Sequence, residues 1–301
     1  MNVVIPQLAD IILKQLGVAG AEAISLTALI RSFWKKYADD YLDDFFKYVI
    51  NLDTGVIHAG MIHAVWMKHQ LTLSDAFIEK VVTSEDFDYY LEKSFLQGVK
   101  AIGVVNKSIF KKQTEDEILQ EIVDLTGTTL ANAKRTVKRW FEETQGRYFD
   151  RFIKGETDRL FLSVGDVSED LISMRKLGER YKQFVEADGY WSSIGGFDAN
   201  TTKIFGEVES MHQQQVQGYV IKAFFTAGTC PVCEHMDGST WYVDEALSEI
   251  DDLVMIGAGE DPRVFNPWPD RSIVQTYPNP QDSPYRLPPF HLNCNCDVYP
   301  I

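Results

Sequence analysis

The chain has 301 residues, of which 45% are hydrophobic and 24% charged, and its formal net charge is −15. That length and balance suit a folded protein of two domains, or one domain with a long helical extension. No run of about 18 apolar residues occurs, so no membrane-spanning helix is expected, and the acidity opposes any general attraction to nucleic-acid phosphates.

The first 220 residues contain a single proline, Pro6, and read as successive helices. Ser25 is placed to cap a segment whose apolar residues Leu26, Leu29, Ile30, Phe33, Trp34, Tyr37, Tyr41, Phe45 and Phe46 recur at intervals of three and four. His58, His63 and His69 follow, spaced five and six apart and interleaved with Met61, Trp66 and Met67. They do not share one helical face, so ordinary packing is expected of them rather than a metal or proton site. Thr114-Glu115-Asp116-Glu117 has the form of a capping box, opening a helix through Ile118, Leu119, Ile122 and Val123 that Gly127 should end.

Leu130, Ala133, Val137, Trp140, Phe141, Tyr148 and Phe152 mark a longer helix, and Ser168 should start another through Leu171, Ile172, Leu177 and Tyr181. The longer one carries Lys134, Arg135, Lys138, Arg139, Arg147, Arg151 and Lys154, the most basic part of the chain. This stretch is expected to be a solvated face balanced by nearby acids, allowing weak contact with DNA at most. Residues 189–200 (GYWSSIGGFDAN) read as a linker. They divide a helical domain, 1–190, from a C-terminal module, 200–301. Within that module residues 203–223 return to a helical pattern.

The C-terminal part differs in kind. Ten of the eleven prolines lie at or after Pro231. Asp237-Gly238 is a turn signal before Ser239–Val243, which has strand composition. A short acidic helix over 244–256 should be closed by Gly257, and 258–290 read as proline-broken loop. A loop that long is normally pinned by something else.

All four cysteines lie in this part, as Cys230-Pro231-Val232-Cys233 and His291-Leu292-Asn293-Cys294-Asn295-Cys296. Two thiols three positions apart form a knuckle, and the second cluster offers two more thiols and an imidazole. A tetrahedral zinc takes four sulfur or nitrogen ligands, usually two from each of two segments. Structural Zn2+ is therefore expected, held by Cys230 and Cys233 with two of His291, Cys294 and Cys296. A Cys-x-Cys pair can bind one ion, although His291-x-x-Cys294 has the easier reach; the choice between Cys294 and Cys296 is open at this point. The alternatives are disulfides and a redox Cys-x-x-Cys. The opening MNVVIPQLADII has no signal-peptide pattern, and a reducing cytosol disfavours disulfides. A redox motif normally opens a helix in a βαβ unit, and none surrounds Cys230.

Together, Thr226-Ala227-Gly228-Thr229-Cys230-Pro231-Val232-Cys233, Asp237-Gly238 and Pro288-Pro289-Phe290-His291-Leu292-Asn293-Cys294-Asn295-Cys296 resemble the signature of the phage head morphogenesis family. These are the minor head proteins related to the F protein of phage Mu. The resemblance covers roughly residues 200–300. The family's preceding helix usually carries Arg-Thr-Glu, where this chain has Phe205-Gly206-Glu207, and Asn295 stands where arginine is usual. No role of those arginines is expected here.

The resemblance implies a mainly α protein ending in a small zinc-stabilised α+β module. It implies a non-enzymatic minor capsid component of a tailed-phage virion, made in the host cytoplasm and contacting portal protein or major capsid protein. Its action would be in head assembly and in DNA packaging, retention or ejection. The chain ends soon after Cys296, so no attached toxin or transferase domain is expected. An HNH-like metal-dependent nuclease is the competing class, but it needs a further metal-binding histidine near the first, and the tail has only His235 and His291. Glu234 and Asp237 are conceivable bases, though side chains flanking a knuckle usually bond to water or backbone. A generic zinc-dependent interaction module is the third class.

Overall fold

A computed structural model describes residues 24–36, 75–106, 109, 113–142, 188–224, 229–255, 272–291, 294 and 296–301. The protein is mainly helical, with a small three-stranded sheet near its C-terminus. In chain order the elements are α1 (24–36), α2 (75–82), α3 (Glu85–Ile102), α4 (Glu115–Leu125), α5 (127–142), α6 (Asp188–Gln213), β1 (Gly218–Ala223), α7 (Pro231–Met236), β2 (Thr240–Tyr242), α8 (Val243–Met255), α9 (Ser272–Thr276) and β3 (Cys296–Pro300). Among the described residues no helix is long and apolar enough to cross a membrane.

Local chemistry explains several boundaries. Thr114 caps α4: its hydroxyl accepts from the Glu117 N–H, and the Glu117 carboxylate accepts from the Thr114 N–H at 2.7 Å. The helix ends at Thr126, and Gly127 opens α5 rather than closing α4. Ile24 is already helical, so Ser25 lies inside α1 rather than capping it. The parts of these expectations that fall on residues 37–74 and 143–187 lie outside the described residues, as do His58, His63 and His69.

The chain forms two compact units. One unit takes in Ala28–Ser84 and Phe141–Trp191; in it Trp34 meets the Phe77 ring edge-on at 5.1 Å, and Phe77 lies 6.2 Å from Phe141. The other includes Glu85–Trp140 and Ser192–Ile301. Helical residues Phe95, Val99, Ile102, Ile118, Ile122 and Ala133 share one core there with Ile221, Val232, Phe290 and Val298 of the C-terminal part.

Residues 189–200 are helical throughout, forming the first half of α6 instead of a linker. Ile194, Phe197 and Ala199 are buried, and Gly195 packs so closely on Thr27 that a methyl group there would meet its backbone. The glycines that suggest a loop are here contact points. Further along α6, every residue from Thr201 to Met211 is buried, which requires its polar groups to be satisfied locally. Thr201 and Thr202 hydroxyls donate back to the carbonyls of Phe197 and Asp198. Glu209 accepts from Thr129 and from Gln213. Gly206 and Gly98 let α6 and α3 cross at backbone contact: a Cβ on Gly98 would strike the Lys203 carbonyl oxygen, and one on Gly206 that of Phe95.

The expected helical pattern over 203–223 holds only to Gln213. Gly218–Ala223 is the central strand, its Tyr219-Val220-Ile221 run favouring extended backbone. The sheet order is β2-β1-β3, antiparallel throughout, with Tyr219 opposite Trp241 and Pro300, and Ala223 opposite Cys296. Alternation sends Tyr219, Ile221, Ala223, Cys296 and Val298 to the buried face. The turn expected at Asp237-Gly238 leads into β2, with Gly238 at φ 77°, and the acidic helix follows as α8.

Candidate metal centre

Cys230 is the N-cap of α7, in extended conformation, and Pro231 occupies the first turn where its missing N–H is no loss. The Cys233 N–H donates to Cys230 Sγ at 3.4 Å, and the Glu234 N–H to the Cys230 carbonyl at 3.1 Å. These bonds turn both sulfurs to one side. Opposite them, the Cys294 N–H donates to the His291 carbonyl at 3.1 Å, forming a second turn. Cys296 begins β3 and points into the core, 5% exposed.

The five expected donors come together. His291 Nε2 lies 2.8 Å from Cys230 Sγ and 3.0 Å from Cys233 Sγ, while Cys233 and Cys294 sulfurs stand 3.7 Å apart. Cys230, Cys233 and His291 form one group with all donor atoms within 4.8 Å, and Cys233, Cys294 and Cys296 form another. Cys233 belongs to both. All four cysteines are free thiols, and 3.7 Å is far beyond the ~2.05 Å of a disulfide, so the disulfide alternative is not what these residues form.

Such a donor set suits a thiophilic cation. Burial would raise the Cys294 thiol, but hydrogen bonds from Cys233 and Cys296 and the nearby His291 pull it well below the ordinary range. Cys233 is pushed up, chiefly by its hydrogen bond to Cys294 and then by burial and the neighbouring sulfurs. Cys296 is pushed up by its bonds to Cys233 and Cys294. A divalent cation would let several of these thiols ionise together. The cluster can hold a metal ion.

Neighbouring contacts fix the scaffold. Asp237 Oδ1 accepts from the Ala223 N–H at 2.8 Å, joining the end of α7 to β1, so this carboxylate is bonded to backbone; Glu234 is exposed. His235 Nε2 lies 2.7 Å from the Tyr277 carbonyl, and the Tyr219 hydroxyl donates to the Arg286 carbonyl at 2.8 Å. These bonds pin the described part of the proline-rich segment on its way to His291. The Pro288–Pro289 bond is cis.

Sequence reasoning missed a buried charge cluster beside this centre. Lys203 Nζ lies 2.6 Å from Glu207 Oε1 and 3.1 Å from Oδ2 of Asp297, the residue after Cys296. All three side chains are 7% exposed or less. Only the i, i+4 spacing of Lys203 and Glu207 in an otherwise apolar stretch could have signalled it. In the basic stretch of α5, Lys134 pairs with Glu92 and Lys138 with Asp88, each at 2.7 Å. Arg147, Arg151 and Lys154 lie outside the described residues.

Comparison with protein-family models, with curated proteins and with solved structures finds no match to this chain.

Proposed function

We propose that the protein is a non-enzymatic minor head protein of a tailed bacteriophage, its C-terminal part organised by one structural Zn2+. The observation that carries the zinc reading is the convergence of Cys230, Cys233, His291, Cys294 and Cys296 from two segments some 60 residues apart. Two sulfurs bound at about 2.3 Å in a tetrahedron stand about 3.8 Å apart, and Cys233 and Cys294 are 3.7 Å apart. The His291 contacts, at 2.8 and 3.0 Å, are shorter than the roughly 3.6 Å of a nitrogen–sulfur edge. Zinc there would cross-link α7 to the segment before β3, inside the core shared with α3 and α6. That is a structural duty, since closed four-ligand sites serve stability.

The head-protein reading rests on the order and spacing of the motif residues, Cys230 through Gly238 and Pro288 through Cys296. The partners are portal protein and/or major capsid protein, with the virion as destination after assembly in the host cytoplasm. A net charge of −15 and the pairing of Lys134 and Lys138 leave packaged DNA at most a weak, salt-sensitive contact. The test is co-expression with portal and capsid proteins of the same phage. Co-purification with assembled heads supports the reading. Tight duplex binding at physiological salt, with zinc-dependent cleavage and no association with heads, overturns it.

A further inference from the structure

Five donors converge where a four-coordinate ion takes four. Resting on the metal reading above, we infer that Cys230, Cys233, His291 and Cys294 form the coordination set, and that Cys296 is an outer thiol beside the ion. The two halves of this set are matched. Cys230-x-x-Cys233 and His291-x-x-Cys294 have the same spacing; the Cys233 N–H donates to Cys230 Sγ at 3.4 Å, and the Cys294 N–H to the His291 carbonyl at 3.1 Å. In a turn of that spacing the first and fourth side chains project to the same side, which is how a knuckle presents two donors to one ion. Two knuckles facing each other complete a tetrahedron.

The short contacts follow the same division. Cys233 Sγ meets His291 Nε2 at 3.0 Å and Cys294 Sγ at 3.7 Å, and Cys230 Sγ meets His291 Nε2 at 2.8 Å, so the four donors form a continuous chain of contacts. Cys294 and Cys296 both group with Cys233 and not with Cys230 and His291, so it is the 3.7 Å contact of Cys294 with Cys233 and its bond to the His291 carbonyl that join Cys294 to the set.

The backbone of Cys296 is committed elsewhere. It is the first residue of β3, in register with Ala223, and it shares the core face with Val298, itself 2% exposed. A residue held in a sheet ladder has less freedom to close on an ion than one in a turn. Its S–H is instead placed to donate to a bound sulfur of Cys233 or Cys294, an outer contact that orients a ligand.

The test uses the full chain with Co2+ as a spectroscopic probe, zinc content by elemental analysis, and competition against a chromophoric chelator. The near-ultraviolet sulfur-to-cobalt band reports bound thiolates. Wild type and C296S should each bind one ion per chain with the same band intensity, and C296S should lose at most about 10–100-fold in affinity, the range for outer contacts. C294S should lose about one third of the band, as one of three thiolates goes. H291A should alter the visible bands but keep the thiolate intensity. C296A repeats the measurement with no polar atom at the strand position, should serine there prevent folding.

A one-third loss in C296S or C296A, with C294S unchanged, overturns the assignment while leaving the metal reading intact. A wild type that takes up neither Co2+ nor Zn2+ removes both.

Discussion

Replacing Lys203 with methionine should destabilise the unit containing the metal centre by about 3–5 kcal/mol at neutral pH, the range for leaving a buried charge unpartnered. Methionine keeps much of the volume, so the cavity contribution is small and the effect isolates the charge. In the native protein one ammonium serves two carboxylates: Glu207 Oε1 at 2.6 Å, and both Asp297 oxygens at 3.1 and 3.2 Å. Glu207 is 2% exposed and Asp297 7%, so water cannot replace the lost cation.

The variant therefore folds around two buried carboxyls that favour their protonated forms, their folded pKa values lying above the unfolded ones of about 4. Stability so linked is present at low pH and lost as pH rises through the folded values. The difference between wild type and K203M should thus be smallest near pH 4–5 and largest above pH 7. Urea unfolding at both pH values, followed by tryptophan fluorescence, measures it. A loss under about 1 kcal/mol at pH 7, or an equal loss at both pH values, would refute the view that this triad is a desolvated, mutually compensating cluster.

Two further substitutions probe the same unit. Gly98→Ala gains about 1 kcal/mol of helix propensity, yet its methyl would strike the Lys203 carbonyl; a net loss of about 1–3 kcal/mol in thermal unfolding is expected, and a stabilised variant would contradict the close crossing of α3 and α6. Glu249 has its pKa pushed up to about 8, chiefly by burial, with Asp252 raising it further and Arg286 opposing. Because the folded value lies above the unfolded one, the contribution of this one carboxyl to stability should be full below about pH 4.5 and decline toward pH 8, by a few kcal/mol at most. Glu249→Gln should flatten that decline, and an unchanged pH profile of urea midpoints would count against it.

The features most legible in the sequence are those fixed by neighbours within a few residues. The Thr114 capping box, the Asp237-Gly238 turn, β2 and α8 all follow from local patterns, and the cysteine knuckle announces itself by spacing alone. Long-range pairing is where legibility ends. Residues 189–200 carry glycine and serine, which locally favour a loop; burial of Ile194 and Phe197 and the contact of Gly195 with Thr27 make them helix. Gly218–Ala223 has the strand propensity of its Tyr-Val-Ile run, but the preceding helical pattern masks it until β2 and β3 are known to flank it.

The shared core is hard to read from sequence for a related reason. Ile118, Ile122 and Ala133 read as the apolar stripe of an independent helical domain, and nothing local says that the stripe meets Val298 and Phe290 in one core. The Lys203–Asp297 pair spans 94 positions. The donor set was visible in full, but its division into two pairs of equal spacing and a strand residue needs the backbone bond between Cys294 and His291 and the register of β3.

The most direct test of the account is the metal content of the full chain, purified under reducing conditions without chelators or affinity metals. Elemental analysis should find close to one zinc per chain, and removing it with a strong chelator should lower the unfolding temperature of α3, α6 and the sheet together, because they share one core with the cluster. Protein that is metal-free with four intact thiols, and whose unfolding does not respond to zinc or chelator, would contradict it.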